Sequence, residues 1–302
     1  MQGDNMPLNF RVVFSSILSV FHALLSYTRF RIGLAILAVM VLLSLASLAA
    51  PPAYKRWYSY PKDRPPQLDF TTIDLLLGTT SNGRPVVYIA VNALANSLII
   101  GVVTALIGSH IGLLVGLLSG VSKGYKESAT VLLIDSFVCI PGLPLLIVLA
   151  MALKSVMTIH MLPLILSVIA WAWPARNVRS ITLSVVGREM INLARFSGIK
   201  FTGIILYEVL PYVLGWHLTN FINTIIWAIG METALAIFGL SILSEDTLGT
   251  MIYWALNYNA LFRGLWWWML PPVVMIISIF IGLYLISSSI ALYLNPRLRG
   301  HA

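Results

Sequence analysis

Runs of roughly 20 apolar residues constrain this chain more than any other feature, because each is long enough to cross the hydrocarbon core of a bilayer as a helix. They lie at 32–50, 91–120, 129–153, 161–178, 212–241 and 267–294. Charged residues make up 10% of the chain and hydrophobic ones 59%, whereas a soluble domain averages about 25% charged. Too little polar surface remains to face water over most of the molecule. The expected fold class is therefore an all-α integral membrane protein with about six transmembrane helices.

The first run ends in "LASLAAPPAY", small residues that imitate a signal-peptidase site. Its length, and its start some thirty residues into the chain, favour an uncleaved anchor over a cleaved signal. Upstream, Ser15, Ser16, Ser19, His22 and Ser26 share one helical face, with Arg11, Arg29 and Arg31 flanking. This pattern predicts an amphipathic interfacial helix over about 10–28, with an additional span as the alternative. In the second run Gly108, Gly112, Gly116 and Gly120 recur every four residues, a smooth stripe against which another helix backbone can pack.

Orientation follows from Lys and Arg in the connecting segments. With the N-terminus inside, the inner set is Arg11, Arg29, Arg31, Lys123, Lys126, Arg176, Arg179, Arg188, Arg195, Lys200, Arg297 and Arg299. The outer set is smaller: Lys55, Arg56, Lys62, Arg64, Arg84, Lys154 and Arg263. Both termini are expected in the cytoplasm, and 51–87 outside as an irregular, proline-rich cap. The formal net charge of +8 then suits an anionic inner leaflet. No basic, aromatic-interleaved patch stands apart from the apolar runs, which argues against nucleic-acid binding.

Several chemistries are excluded or disfavoured. Cys139 is the only cysteine, so there is no intrachain disulfide and no Cys-based metal cluster. His22, His110, His160, His217 and His301 lack metal-ligand spacing, and no G-x-x-x-x-G-K-[ST] phosphate loop occurs. No group of acid, base and nucleophile converges near one membrane face, as an enzyme would need. Inside the spans Asp135 and Glu232, and less strongly His110, are costly. They either line a translocation path or tie helices together. Trp266, Trp267 and Trp268, with Tyr253, Trp254 and Tyr258, suit an outer-interface aromatic belt, with stacking on a sugar as the alternative.

The longest inner loop, 179–211, concentrates charge: Arg188, Glu189, Arg195, Lys200 and Glu208. Met190, Leu193 and Ala194 keep helical spacing and predict a short helix over 189–196. Gly198 permits a sharp turn, and Pro211 is expected to stop helix continuation at the next span. A short, rigid, partly basic helix projecting from two spans suits the grip of a soluble partner.

These residues carry a resemblance. The loop resembles the cytoplasmic "EAA" loop of ABC importer permeases, with Asn192, Leu193, Ala194, Gly198, Leu210 and Pro211 at matching positions and the first Glu and first Ala replaced. "LLGTTSNGRPV" at 76–86 is similar to the "GTDDLGRDV" segment of dipeptide and oligopeptide permeases, and "LIDSFVCIPGLPLLI" at 133–147 to their third span. "METALAIFGLSI" and "LGTMI" resemble "EASLSFLGLG…WGTML", and "LYLNPRLRG" resembles "LRDALDPRLRG". The matches cover about 30–300 in order.

The resemblance implies a type I importer permease domain over 88–294, after an N-terminal segment 1–30, a first span 31–50 and the external loop 51–87, with a tail at 295–302. It implies one half of a pore in the cell membrane, completed by a second homologous permease. Two ABC ATPases carrying ATP and Mg would sit beneath, and an external solute-binding protein would deliver the solute. The implied coupling residues are Glu189, Asn192, Leu193, Ala194, Gly198, Leu210 and Pro211. Di- or oligopeptides are the first expected solute and oligosaccharides the alternative; a non-transport scaffold or enzyme is the competing class.

Overall fold

The computed structural model describes residues 19–67 and 73–294. Among these, regular structure is helical apart from one isolated bridge between Thr79 and Pro85. The principal helices are α1 (Thr28–Leu45), α2 (Val86–Val121), α3 (Tyr125–Cys139), α4 (Gly142–Leu153), α5 (Leu162–Ala170) and α6 (Ala172–Val186). They are followed by α7 (Glu189–Phe196), α8 (Leu210–Ile237), α9 (Leu248–Asn257) and α10 (Trp266–Leu294). Residues 19–25 are also helical and turn at 26–27 into α1. Residues 10–18 of the segment expected to lie along the interface, and the closing "NPRLRG", fall outside the described residues.

Four continuous stretches are long and apolar enough to span: Thr28–Ala49, Val86–Val121, Ile204–Ile237 and Trp266–Leu294. The run expected at 129–153 is not one rod. It divides into α3 and α4, which meet at 86°. The cause is Pro141, which lacks an N–H and forces the residue before it out of the helical region; Ile140 accordingly sits at φ −73°, ψ 126°. The run expected at 161–178 extends to Val186 and divides at Trp171 into α5 and α6. There Pro174 offers no N–H to the Ala170 carbonyl, so the ladder is interrupted at that turn. Six expected spans thus resolve into four continuous ones, a sharply bent pair and a divided pair.

Pro211 also departs from expectation. The chain stays helical from Phe201 to Ile237, with Ile204–Val209 wound as a π-helix immediately before α8. The wider i→i+5 turn relieves the clash that a proline ring makes with the carbonyl four residues earlier. The proline is absorbed by a local change of winding instead of ending the helix.

The long helix α2 is the spine, packed on α5, α6 and α8, while α10 packs on α1, α8 and α9. The glycine stripe is where α5 and α6 come closest to it. A methyl placed on Gly108 would lie 2.7 Å from Ala170 Cβ, and one on Gly112 would lie 2.6 Å from Pro174 Cβ and 2.7 Å from Trp171 O. At Gly116 it would meet Ala175 O at 2.6 Å, and at Gly120 Thr182 Cβ at 2.6 Å. Two of these obstacles are backbone carbonyls, which cannot rotate away. Gly112→Leu is therefore expected to destabilise the detergent-purified protein by about 1–3 kcal/mol or more. Gly187→Ala, whose methyl would meet only Leu183 O at 3.5 Å, should leave the thermal midpoint where it was. Equal midpoints for the two variants would refute the close contact.

At one end of the bundle the 51–67 and 73–85 segments fold over α2, α9 and α10. Arg84 bridges Asp246 at 2.6 Å and donates from Nε to Tyr54 O at 3.0 Å. Tyr54, Arg84 and Asp246 are all buried, and burial beside Asp246 pushes the Tyr54 phenol well above its ordinary range. The Trp267 indole donates to Thr79 O, and Trp254 to Leu243 O. Trp268 is buried against Tyr258, whereas Trp266 is exposed. Trp267 thus fastens the cap to α10, and Trp254 packs edge-on to Trp57 of the cap at 5.4 Å.

Candidate coupling loop and translocation cavity

At the opposite end of α6, Gly187 and Arg188 turn the chain into α7, whose bounds Glu189–Phe196 coincide with the helix expected from spacing. Ile191 is fully buried and packs with Val185, Ile204, Val209 and Val213. Burying such a side chain stabilises by about 1.5–3 kcal/mol, enough to pin a helix of two turns to the ends of α6 and α8. Leu210 packs against the same cluster, while Pro211 is exposed.

The other described side chains of α7 turn outward. Leu193 is 67% and Phe196 89% exposed, and Glu189 is exposed beside them. The side chains of Asn192 and Ala194 lie outside those described. Gly198 has φ +78°, and the space where a Cβ would project is open. Arg188 stacks over Tyr212 at 4.8 Å, and Arg179 pairs with Glu127 at 2.7 Å, tying α6 to α3. Among the described side chains of α7, Ile191 is thus the buried anchor, and Leu193 and Phe196 form an apolar, uncovered ridge.

Between α3–α6 and α8 lies a cavity of about 600 Å³. Its lining includes Trp173 and Asn177 from α6 and Trp216, Asn220, Asn223 and Trp227 from α8. Trp173 is 60% exposed, so the space is a cleft open to the surroundings. None of its lining residues is Asp, Glu, Lys or Arg. Sequence reasoning missed this site, although the signal was present: positions 216, 220, 223 and 227 follow i, i+4, i+7, i+11, one face of a helix.

The three polar intramembrane residues singled out earlier are not brought together, and none lines the cleft. Asp135 is half exposed and lies 3.8 Å from Arg176 Nε on α6. Glu232 is fully buried, and its Oε1 accepts hydrogen bonds from Ser241 and Thr247 at 2.9 and 2.7 Å. His110 is exposed, with Nδ1 2.9 Å from Leu106 O and its ring edge-on to buried His217 at 4.9 Å.

Long apolar helices, a small helix held out from their ends and an uncharged cleft define a multi-pass membrane permease subunit. Residues 112–300 match the family of binding-protein-dependent transport system inner membrane components. The chain belongs to that family, the type I permeases of ABC importers, and is a transport subunit rather than an enzyme. It is similar to the oligopeptide transport system permease protein OppC of Mycobacterium tuberculosis and of Mycobacterium bovis. Each is 28% identical over 233 residues, covering 75% of this chain and 78% of the relative. The protein of the same name from Lactococcus lactis is 24% identical over 214 residues, covering 68% and 72%.

Proposed function

We propose that the chain forms half of an oligopeptide pore, in complex with a second homologous permease, two ATPases and an external solute-binding protein. The observation that carries this reading is the ridge of Leu193 and Phe196, held out by buried Ile191, on a chain with no nucleotide loop of its own. In this reading α7 docks on an ATPase, which carries ATP and Mg, and Glu189, Asn192, Leu193, Ala194 and Gly198 lie at or beside that contact. Leu210 and Pro211 carry its displacement into α8. The termini and 179–211 face the cytoplasm, and 51–87 faces outward. The oligopeptide assignment draws on the names of the relatives.

The test is reconstitution in liposomes. ATP-dependent uptake of a labelled tripeptide is expected only when all the partners are present, with an oligosaccharide not taken up. Active transport by this chain alone would overturn the reading. So would labelling of a cysteine at position 63 only from the inside, in a background lacking Cys139.

A further inference from the structure

We infer that the α6–α8 cleft engages the peptide bond of the passing solute and is indifferent to the solute's charge. The inference rests on the oligopeptide reading above and concerns what the cleft itself selects. The three lining asparagines are only partly committed within the protein. Asn177 donates to Trp173 O at 2.9 Å and Asn220 donates to Thr224 Oγ1 at 3.4 Å, so each retains its carbonyl oxygen as an acceptor. Asn223 accepts from Ser287 Oγ at 3.3 Å and retains its NH₂ as a donor. The cleft therefore carries neutral acceptors and a neutral donor on adjacent turns of α6 and α8, the same pair of functions that each peptide bond presents.

The remaining surface includes Trp173, Trp216 and Trp227, with Phe137, Ile169 and Met231 among the other apolar groups. Indole faces pack on side chains of many shapes. What the lining lacks is equally informative. With no charged side chain among its residues, an ionised terminus, a lysine or a glutamate meets no counter-ion and no like charge in the cleft. A fixed charge would hold one sign of peptide and repel the other, and a pore needs binding weak enough to release its solute. At about 600 Å³ the space also leaves room for the water that keeps such groups solvated.

The experiment uses the complete complex in liposomes, with the tripeptides Ala-Lys-Ala, Ala-Gln-Ala and Ala-Glu-Ala each supplied at a level saturating the binding protein. Wild-type uptake is expected to agree across the series within about threefold, a free-energy spread of less than one tenfold step. Asn223→Asp places a fixed charge in the cleft at unchanged size, and is expected to separate the lysine from the glutamate peptide by about tenfold or more. Asn220→Asp is the second site and should act in the same sense.

A wild-type spread above tenfold, or a flat series in both Asp variants, overturns the inference and leaves the peptide reading standing. Failure of every peptide, with uptake of an oligosaccharide, overturns both. Should neither variant assemble, the wild-type series decides alone.

Discussion

Arg84→Met is expected to cost about 3–5 kcal/mol, because removing one partner of a buried ion pair leaves the other charge uncompensated. Both side chains are only 10% exposed and meet at 2.6 Å. The damage would not stay local. The Asp246 carbonyl also accepts from Asn96 on α2 at 2.7 Å. Next to it Thr247 caps α9 and donates to the buried Glu232 carboxylate. A single uncompensated charge therefore sits where the cap, α2, α8 and α9 meet. Asp246→Leu should be comparably harmful, while the double variant, with neither charge, should recover a large part of the loss. Thermal midpoints and monodispersity in detergent measure all three. Arg84→Met with a wild-type midpoint would mean that the pair is not buried in the folded protein.

Gly198→Val is expected to separate ATP hydrolysis from transport while leaving the membrane spans correctly inserted. At φ +78° a β-branched residue is strained by about 1–3 kcal/mol, and about 1.4 kcal/mol is already tenfold in an affinity. Among the described residues other than its two chain neighbours, no atom lies within 4 Å of the added Cβ, so the cost found there inside the subunit is backbone strain. A further penalty would be expected from a docked ATPase in the proposed complex. Gly198→Asn discriminates the two, because asparagine tolerates the left-handed region. It should retain the turn and lose only what its side chain obstructs. A Glu189 substitution should be milder, below about 1 kcal/mol, as is usual for an exposed polar contact. Unaltered ATPase retention and unaltered uptake per ATP in Gly198→Val would reduce 179–211 to a connector.

What could be read from the chain beforehand was whatever depends on local periodicity. The bounds of α7 followed from Met190, Leu193 and Ala194, and the tight packing on α2 from glycines four apart, because helical spacing alone places those residues on a face. The bend at Ile140–Pro141 was equally local, and was missed because hydropathy does not register a lost N–H. Pro211 misled in the opposite direction, since a π-turn absorbs a proline that an α-helix would not. The Arg84–Asp246 bridge joins residues 162 positions apart, and no pattern within either segment announces it. The cleft is intermediate. Its α8 face is periodic, but only the arrival of Asn177 from another helix turns that face into a site.

The glycine contact along α2 also has a mechanical meaning. Four-residue spacing along an α-helix is a rise of about 6 Å, so the stripe and the groove facing it mesh like a toothed rack of that pitch. A smaller slip drives backbone carbonyls such as Trp171 O and Ala175 O against the flanks of the glycines, where there is no room even for a methyl group. The two elements are geared together and have no clutch. In the proposed coupling role, a push delivered at α7 would reach α6 through two residues of turn, and α2 would travel with α6 as one piece. The divide at Trp171 falls within the meshed stretch and is held by it, whereas the 86° bend between Cys139 and Gly142 lies off the stripe.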